Sequence, residues 1–171
     1  RVPTAPLRCP FHIKDIARSA DPVPRYLTDT DIQAILRYCS TEASLYERVI
    51  VTTLLHTGIR AAELAALKAS DVVQIQGRWK LHIHEGKGLK DRLIPLTDLC
   101  LATLREWQDK GWNRTTDHLF SHFGLPWRSA GAAQAMIRSI GRRLGVDGLT
   151  PHRFRHTFAV ALLNYGMRES A

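Results

Sequence analysis

The sequence predicts a mainly α-helical fold with one small antiparallel β-sheet, an α+β class, on three observations. Apolar residues recur at helical spacing in several separate segments. One stretch, residues 79–84, instead alternates strictly between apolar and polar side chains. Helix caps and turn residues fall where either period begins or ends.

The elements follow in order. Residues 1–24 hold five of the eight prolines and no sustained period, so they are expected to form a linker or extended arm from a domain upstream. A helix is expected from Thr28, whose hydroxyl can cap the first turn with Asp31 three residues on, as in a capping box. Ile32, Ile35, Leu36 and Cys39 then form its core stripe. The next helix is expected over 45–56, with Tyr46, Val49, Ile50, Thr53 and Leu54 on one side and Gly58 stopping it. A short third helix carries Arg60, Glu63, Leu64 and Leu67. A strand is expected over 72–76 before Gly77, and Trp79, Leu81 and Ile83 face inward from a second. Residues 85–90 supply a turn and 92–96 the returning arm, which Pro95 restricts to an edge or a strand end. A helix over 98–110 has Leu101, Leu104, Trp107 and Gln108 in phase, and 111–127 is expected to be an irregular connection. Residues 129–144 form another helix on Ala133, Met136, Ile137, Ile140 and Leu144. The last starts at Thr150-Pro151, a cap followed by proline at the first helical position.

Composition narrows the function. The 171 residues suit one domain with a real core, and 24 Lys+Arg against 16 Asp+Glu leave a net charge of +8. That excess favours a polyanionic partner, nucleic acid before an acidic membrane surface. No apolar run approaches the roughly 20 residues of a bilayer span, so no membrane association is expected. Three scattered cysteines, Cys9, Cys39 and Cys100, fit a reduced compartment and offer no reactive pairing.

Three segments concentrate polar residues that packing does not require: Thr57-Gly-Ile-Arg-Ala-Ala-Glu-Leu, Gly86-Lys-Gly-Leu-Lys-Asp-Arg, and Thr150-Pro-His-Arg-Phe-Arg-His-Thr-Phe-Ala. On a helix at ~100° per residue, Phe154, Phe158, Ala161, Leu162 and Tyr165 share one apolar stripe, while His152 and Arg155 lie three apart on another face. An arginine fork suits phosphate oxygens and a neighbouring histidine can move a proton near neutral pH. A solvated cationic face would look the same from this pair alone.

Together and in this order, the three motifs resemble the catalytic domain of the tyrosine recombinases, the phage integrase and Xer-like family, from about Tyr26 to Met167. The resemblance implies that fold over 25–171 and site-specific cleavage and rejoining of double-stranded DNA through a 3′-phosphotyrosyl intermediate. It implies Arg60 and Arg155 as the clamp on the scissile phosphate, Lys87 as the general acid, His152 as the acid/base histidine and Glu63 as their support. It also implies no metal or other cofactor, a tetramer on two duplexes, and a cytoplasmic enzyme of bacterial, archaeal or phage origin. Lys90, Arg92, Arg138, Arg142 and Arg153 are candidates for DNA contacts, and Arg143 shares a helix with two of them.

The family's nucleophilic tyrosine lies well beyond the second arginine, past a Leu-Gly-His-like segment, and neither occurs before Ala171. Tyr165 points about 140° away from His152 and is expected in the core. The chain is therefore expected to be truncated before its nucleophile and unable to cleave DNA alone. A module that kept the fold and lost catalysis is the alternative, and a metal-dependent nuclease a third. The spacings His82-x-His84 with Glu85, His118 to His122 and His152 to His156 could each suggest a metal, but a strand's outer face, a loop and the phosphate site account for them in turn. Trp79, Trp107, Trp112 and Trp127 are expected to pack rather than to stack on bases.

Overall fold

The structure, a computed structural model, describes residues 26–84, 91–110, 116–122, 125–127 and 129–164. The expected linker over 1–24, the turn over 85–90 with Lys87 and Lys90, and Trp112 and Tyr165 lie outside the described residues.

Two capping boxes start the chain's helical half. Thr28 and Asp31 bracket the first turn of α1 (Asp29–Thr41), and Ser44 and Glu47 do the same for α2 (Leu45–Thr57). In each, a hydroxyl and a carboxylate satisfy backbone N–H groups that have no partner within the helix. α1 buries Ile32, Ile35 and Cys39 as expected, together with Tyr38.

α2 departs from the one-sided stripe: every residue from Val49 to Thr57 is buried. It is the central helix, packed against α4 (Asp98–Lys110) on one side and α6 (Pro151–Asn164) on another. Its threonines tolerate this because their hydroxyls bond back into the helix, Thr53 to the Val49 carbonyl at 2.7 Å and Thr57 to that of Thr53 at 2.5 Å.

Gly58 ends α2 at φ +59°, a left-handed conformation that favours glycine. A Cβ there would also meet the Phe158 ring at 2.4 Å, so α6 is as close as a hydrogen permits. The chain then enters α3 (Ala61–Ala66), which packs on α5 (Ala130–Leu144).

The sheet has the expected antiparallel order, β1 (Val72–Ile75), β2 (Arg78–Ile83), β3 (Arg92–Pro95). Gln76 leaves the first strand to join Gly77 in the turn, both at positive φ, the backbone twist that suits a two-residue hairpin loop. Leu81 and Ile83 face the core and Pro95 closes the edge strand β3.

Two further expectations are corrected. The buried stripe of α4 is Cys100, Thr103, Leu104 and Trp107, with Leu101 and Gln108 only half-buried, because α2 covers the helix one step round from the predicted centre. The connection after α4 is also not wholly irregular: β4 (Ser121–His122) pairs antiparallel with β5 (Leu125–Pro126). That segment is fastened by side chains reaching its backbone, Trp107 Nε1 donating to the Leu119 carbonyl and the Tyr46 hydroxyl to that of Ser121, each at 2.8 Å.

Tyr46, Trp107, Phe120 and Trp127 form one aromatic cluster with ring centroids 5.1–6.4 Å apart. Trp79 lies under the Arg105 guanidinium at 4.5 Å. The tryptophans among the described residues are thus packing residues, as expected.

Candidate active site

The turn after α2 and the first turns of α3 and α6 meet at one cleft of about 470 Å³, closed on a further side by α5. Arg60, Arg138, His152 and Arg155 line it, with Ala130 and Gln134 between them. Residues nearly one hundred positions apart meet where Arg155 Nη1 donates to the Gly58 carbonyl at 2.7 Å. That carbonyl is available because the left-handed turn at Gly58 has ended α2.

Arg60 stands at the N-cap of α3 with its side chain half in solvent. Glu63, in the first turn, holds it twice: its carboxylate accepts from the Arg60 backbone N–H at 2.7 Å and from the guanidinium at 2.8 Å. The same carboxylate accepts from Arg92 Nη2 at 2.6 Å, which ties β3 to α3. Burial would raise the Glu63 carboxyl, but the hydrogen bonds from Arg92 and Arg60 outweigh it and hold the group below the usual carboxylate range. Glu63 thus stays ionised and fixes a cation at the rim of the cleft.

His152 is exposed on the first turn of α6, and its Nε2 lies 2.7 Å from Nε2 of His156 one turn later. One of the two nitrogens must carry the proton of that bond, so the pair holds a proton beside the arginines.

The other predicted residues separate into groups. Arg138 lines the cleft, and Arg142 is exposed one turn farther along α5. Arg92 pairs with Glu63 and braces β3 against α3. Arg153 corrects the expectation: it turns inward, 9% exposed, and donates to Asp31, to the Tyr26 carbonyl and to the Asp147 carbonyl. It locks α6 to α1. Arg143 pairs with Glu47 and lies over the Tyr38 ring at 5.0 Å.

Sequence reasoning missed Gln134 as a cleft residue, His156 as the partner of His152, and Arg92 as the second cation on Glu63. The i, i+4 spacings of Gln134 with Arg138 and of His152 with His156 carried two of these signals. The third is a contact between a strand and a helix, with no local signature.

Comparison with known proteins gives a consistent result. The model described as "Phage integrase family" matches residues 25–171. The tyrosine recombinase XerC of Staphylococcus haemolyticus is 30% identical over 151 residues, 84% of this chain and 50% of that protein. XerD of Ralstonia nicotianae is 28% identical over 165 residues, 92% of this chain and 53% of the relative. The chain therefore spans about half the length of the curated relatives it matches. Among solved structures, XerA recombinase superposes with a TM-score of 0.73 at 30% identity, over 86% of this chain and 54% of that one. A lambda integrase dimer bound to a core site shares the fold, with a TM-score of 0.64 at 20% identity over 86% of this chain and 56% of that one.

Proposed function

The chain belongs to the phage integrase family of tyrosine recombinases, and we propose that its cleft holds one scissile phosphate of double-stranded DNA. The observation that carries this reading is the convergence of Arg60, His152 and Arg155 on a single cleft, with Glu63 holding Arg60 in place.

In the intact protein, a tyrosine oxygen attacks the phosphorus and the bond to the 5′-oxygen breaks. The DNA 3′-phosphate is left on the tyrosine and the other strand end as a 5′-hydroxyl. Arg60 and Arg155 neutralise the charge that builds on the two non-bridging oxygens, where fixed cations in a partly dry site act most strongly. His152 exchanges the proton of the attacking hydroxyl, and Lys87 protonates the leaving 5′-oxygen. A 5′-hydroxyl from the partner strand then attacks the phosphotyrosine and regenerates the tyrosine. Because the phosphodiester energy stays in the covalent link, rejoining needs no nucleotide cofactor. Four copies on two duplexes would exchange both pairs of strands.

Tyr38 packs beneath Arg143 and Tyr46 sits in the aromatic cluster, so neither serves as the nucleophile. The 171 residues by themselves are expected to bind DNA without attaching to it. Incubation with a nicked suicide substrate checks this: no SDS-resistant protein–DNA band is expected, and such a band would overturn it. Fluorescence anisotropy on duplex DNA tests the cleft. Binding should fall steeply with salt, and Arg60→Ala and Arg155→Ala should each lower the slope of log K against log[salt] by about 1. Unchanged slopes in both variants would remove the phosphate from this cleft.

A further inference from the structure

On the far side of Glu63 from the cleft, the sheet assembles a second cluster that the phosphate chemistry does not use. His82 lies on β2 and His84 directly follows the strand's last residue, two positions on, with ring centroids 4.0 Å apart. The antiparallel register pairs Ile83 with Arg92, so the next step places Asp91 across from His84. Three potential ligand atoms, from β2 and from the residues that directly follow β2 and precede β3, therefore converge, all within 4.8 Å of one another. Asp91 Oδ2 is 3.0 Å from His82 Nε2 and 3.2 Å from His84 Nδ1.

The other nitrogen of His84 is engaged too. Its Nε2 lies 3.0 Å from Oδ1 of Asp71, which is 5% exposed and whose Oδ2 accepts the Lys68 backbone N–H at 2.8 Å. A neutral imidazole carries one N–H, so His84 can donate to only one of its two carboxylates. With that proton directed at the fixed Asp71, Nδ1 presents a lone pair toward Asp91. A cation between them turns two facing acceptors into two ligands. A buried carboxylate setting the tautomer of a metal-binding histidine is the usual outer support of such sites.

We propose that His82 Nε2, His84 Nδ1 and Asp91 Oδ2 bind a first-row divalent cation, zinc foremost, with Asp71 orienting His84. Tetrahedral zinc with bonds of about 2.0–2.1 Å separates its ligand atoms by about 3.3 Å, close to the two spacings from Asp91 Oδ2 to the histidine nitrogens. Two imidazoles and one carboxylate suit zinc and its neighbours, whereas magnesium and calcium favour all-oxygen shells. His84 and Asp91 side chains are 58% and 49% exposed, so the remaining position opens to solvent. The cation would join the end of β2 to the start of β3, the two residues flanking the segment that contains Lys87. Glu63 lines one small hollow together with Asp71, His82 and His84.

The test uses the tag-free 171-residue chain, stripped with chelator and held at pH 7.5. Zinc is titrated in competition with a chromogenic chelator. One equivalent is expected to bind with a dissociation constant of about 10 µM or tighter. His84→Ala and Asp91→Asn should each weaken binding at least about tenfold, and Asp71→Asn, which removes no ligand, by about tenfold. Circular dichroism of the apo variants checks that each remains folded, and zinc should raise the melting temperature of the parent more than that of any variant. Absence of saturable one-to-one binding below about 100 µM would overturn the site. So would unchanged affinity in both His84→Ala and Asp91→Asn, or a loss confined to His152→Ala, which would move the metal to the other histidine pair.

Discussion

Two arginines on α6, two positions apart, do opposite work. Arg155 faces the cleft and is positioned by the Gly58 carbonyl, whereas Arg153 turns inward to Asp31, 122 residues away in the chain. Both were arginines in a basic motif, and residue type with spacing could not separate them. The difference lies in which partner the tertiary fold brings near, which a local pattern does not carry. Their consequences can be measured separately. Removing one member of a largely buried ion pair leaves the other charge without compensation, so Arg153→Ala should lower unfolding free energy by about 3 kcal/mol. Arg138→Ala, on an exposed position of α5, should change stability by less than about 0.5 kcal/mol while lowering the DNA salt slope by about 1. Urea unfolding and anisotropy on both variants check the pair; a stable Arg153→Ala protein would sever the proposed lock between α6 and α1.

At the scale of elements, the helices and the three-stranded sheet were legible because their signals are local: caps, stripes, alternation and a turn. The two-residue strands β4 and β5 were not, since a strand that short has no period to detect. The segment that carries them is held by Trp107 and Tyr46, side chains from other elements. The burial of α2 on all sides was hidden for a related reason, because the position of a helix between two neighbours is a property of the whole packing. Gly58 was legible as a helix stop, but not as the point where α6 touches α2. Gly58→Ala therefore combines a left-handed backbone strain of about 1–2 kcal/mol with a steric cost of about 1–3 kcal/mol against Phe158. A loss of about 2–5 kcal/mol in urea unfolding is expected, with the Arg155 link displaced. A loss below about 1 kcal/mol would show that α6 does not depend on this contact.

Across the whole molecule, the order of the motifs pointed to the family, while the geometry of the cleft depends on a core that must stay neutral at one unexpected place. His56, 4% exposed in the last turn of α2, lies between the sheet side and α6, with its Nδ1 2.8 Å from the Thr97 hydroxyl that precedes α4. Burial pushes this imidazole down to about 4 from its ordinary 6.5. The unfolded chain therefore takes up a proton first as pH falls, so the stability His56 permits is complete above about pH 6.5 and is lost progressively toward pH 4. The lowered Glu63 carboxyl acts in a separate window, losing its contribution only below the ordinary carboxylate value near ~4.3. Between pH 7.5 and 5, linkage assigns His56 alone a loss of about 2 kcal/mol. The net charge of +8 also grows as histidines and carboxylates protonate, and this general repulsion lowers stability in any variant. His56→Gln separates the two effects, because the amide can still meet Thr97 but does not titrate. Urea unfolding at the two pH values should give a drop about 2 kcal/mol smaller in His56→Gln than in the parent. Equal drops would mean that charge repulsion, and not the neutral histidine between α2 and α4, sets the acid sensitivity of the fold.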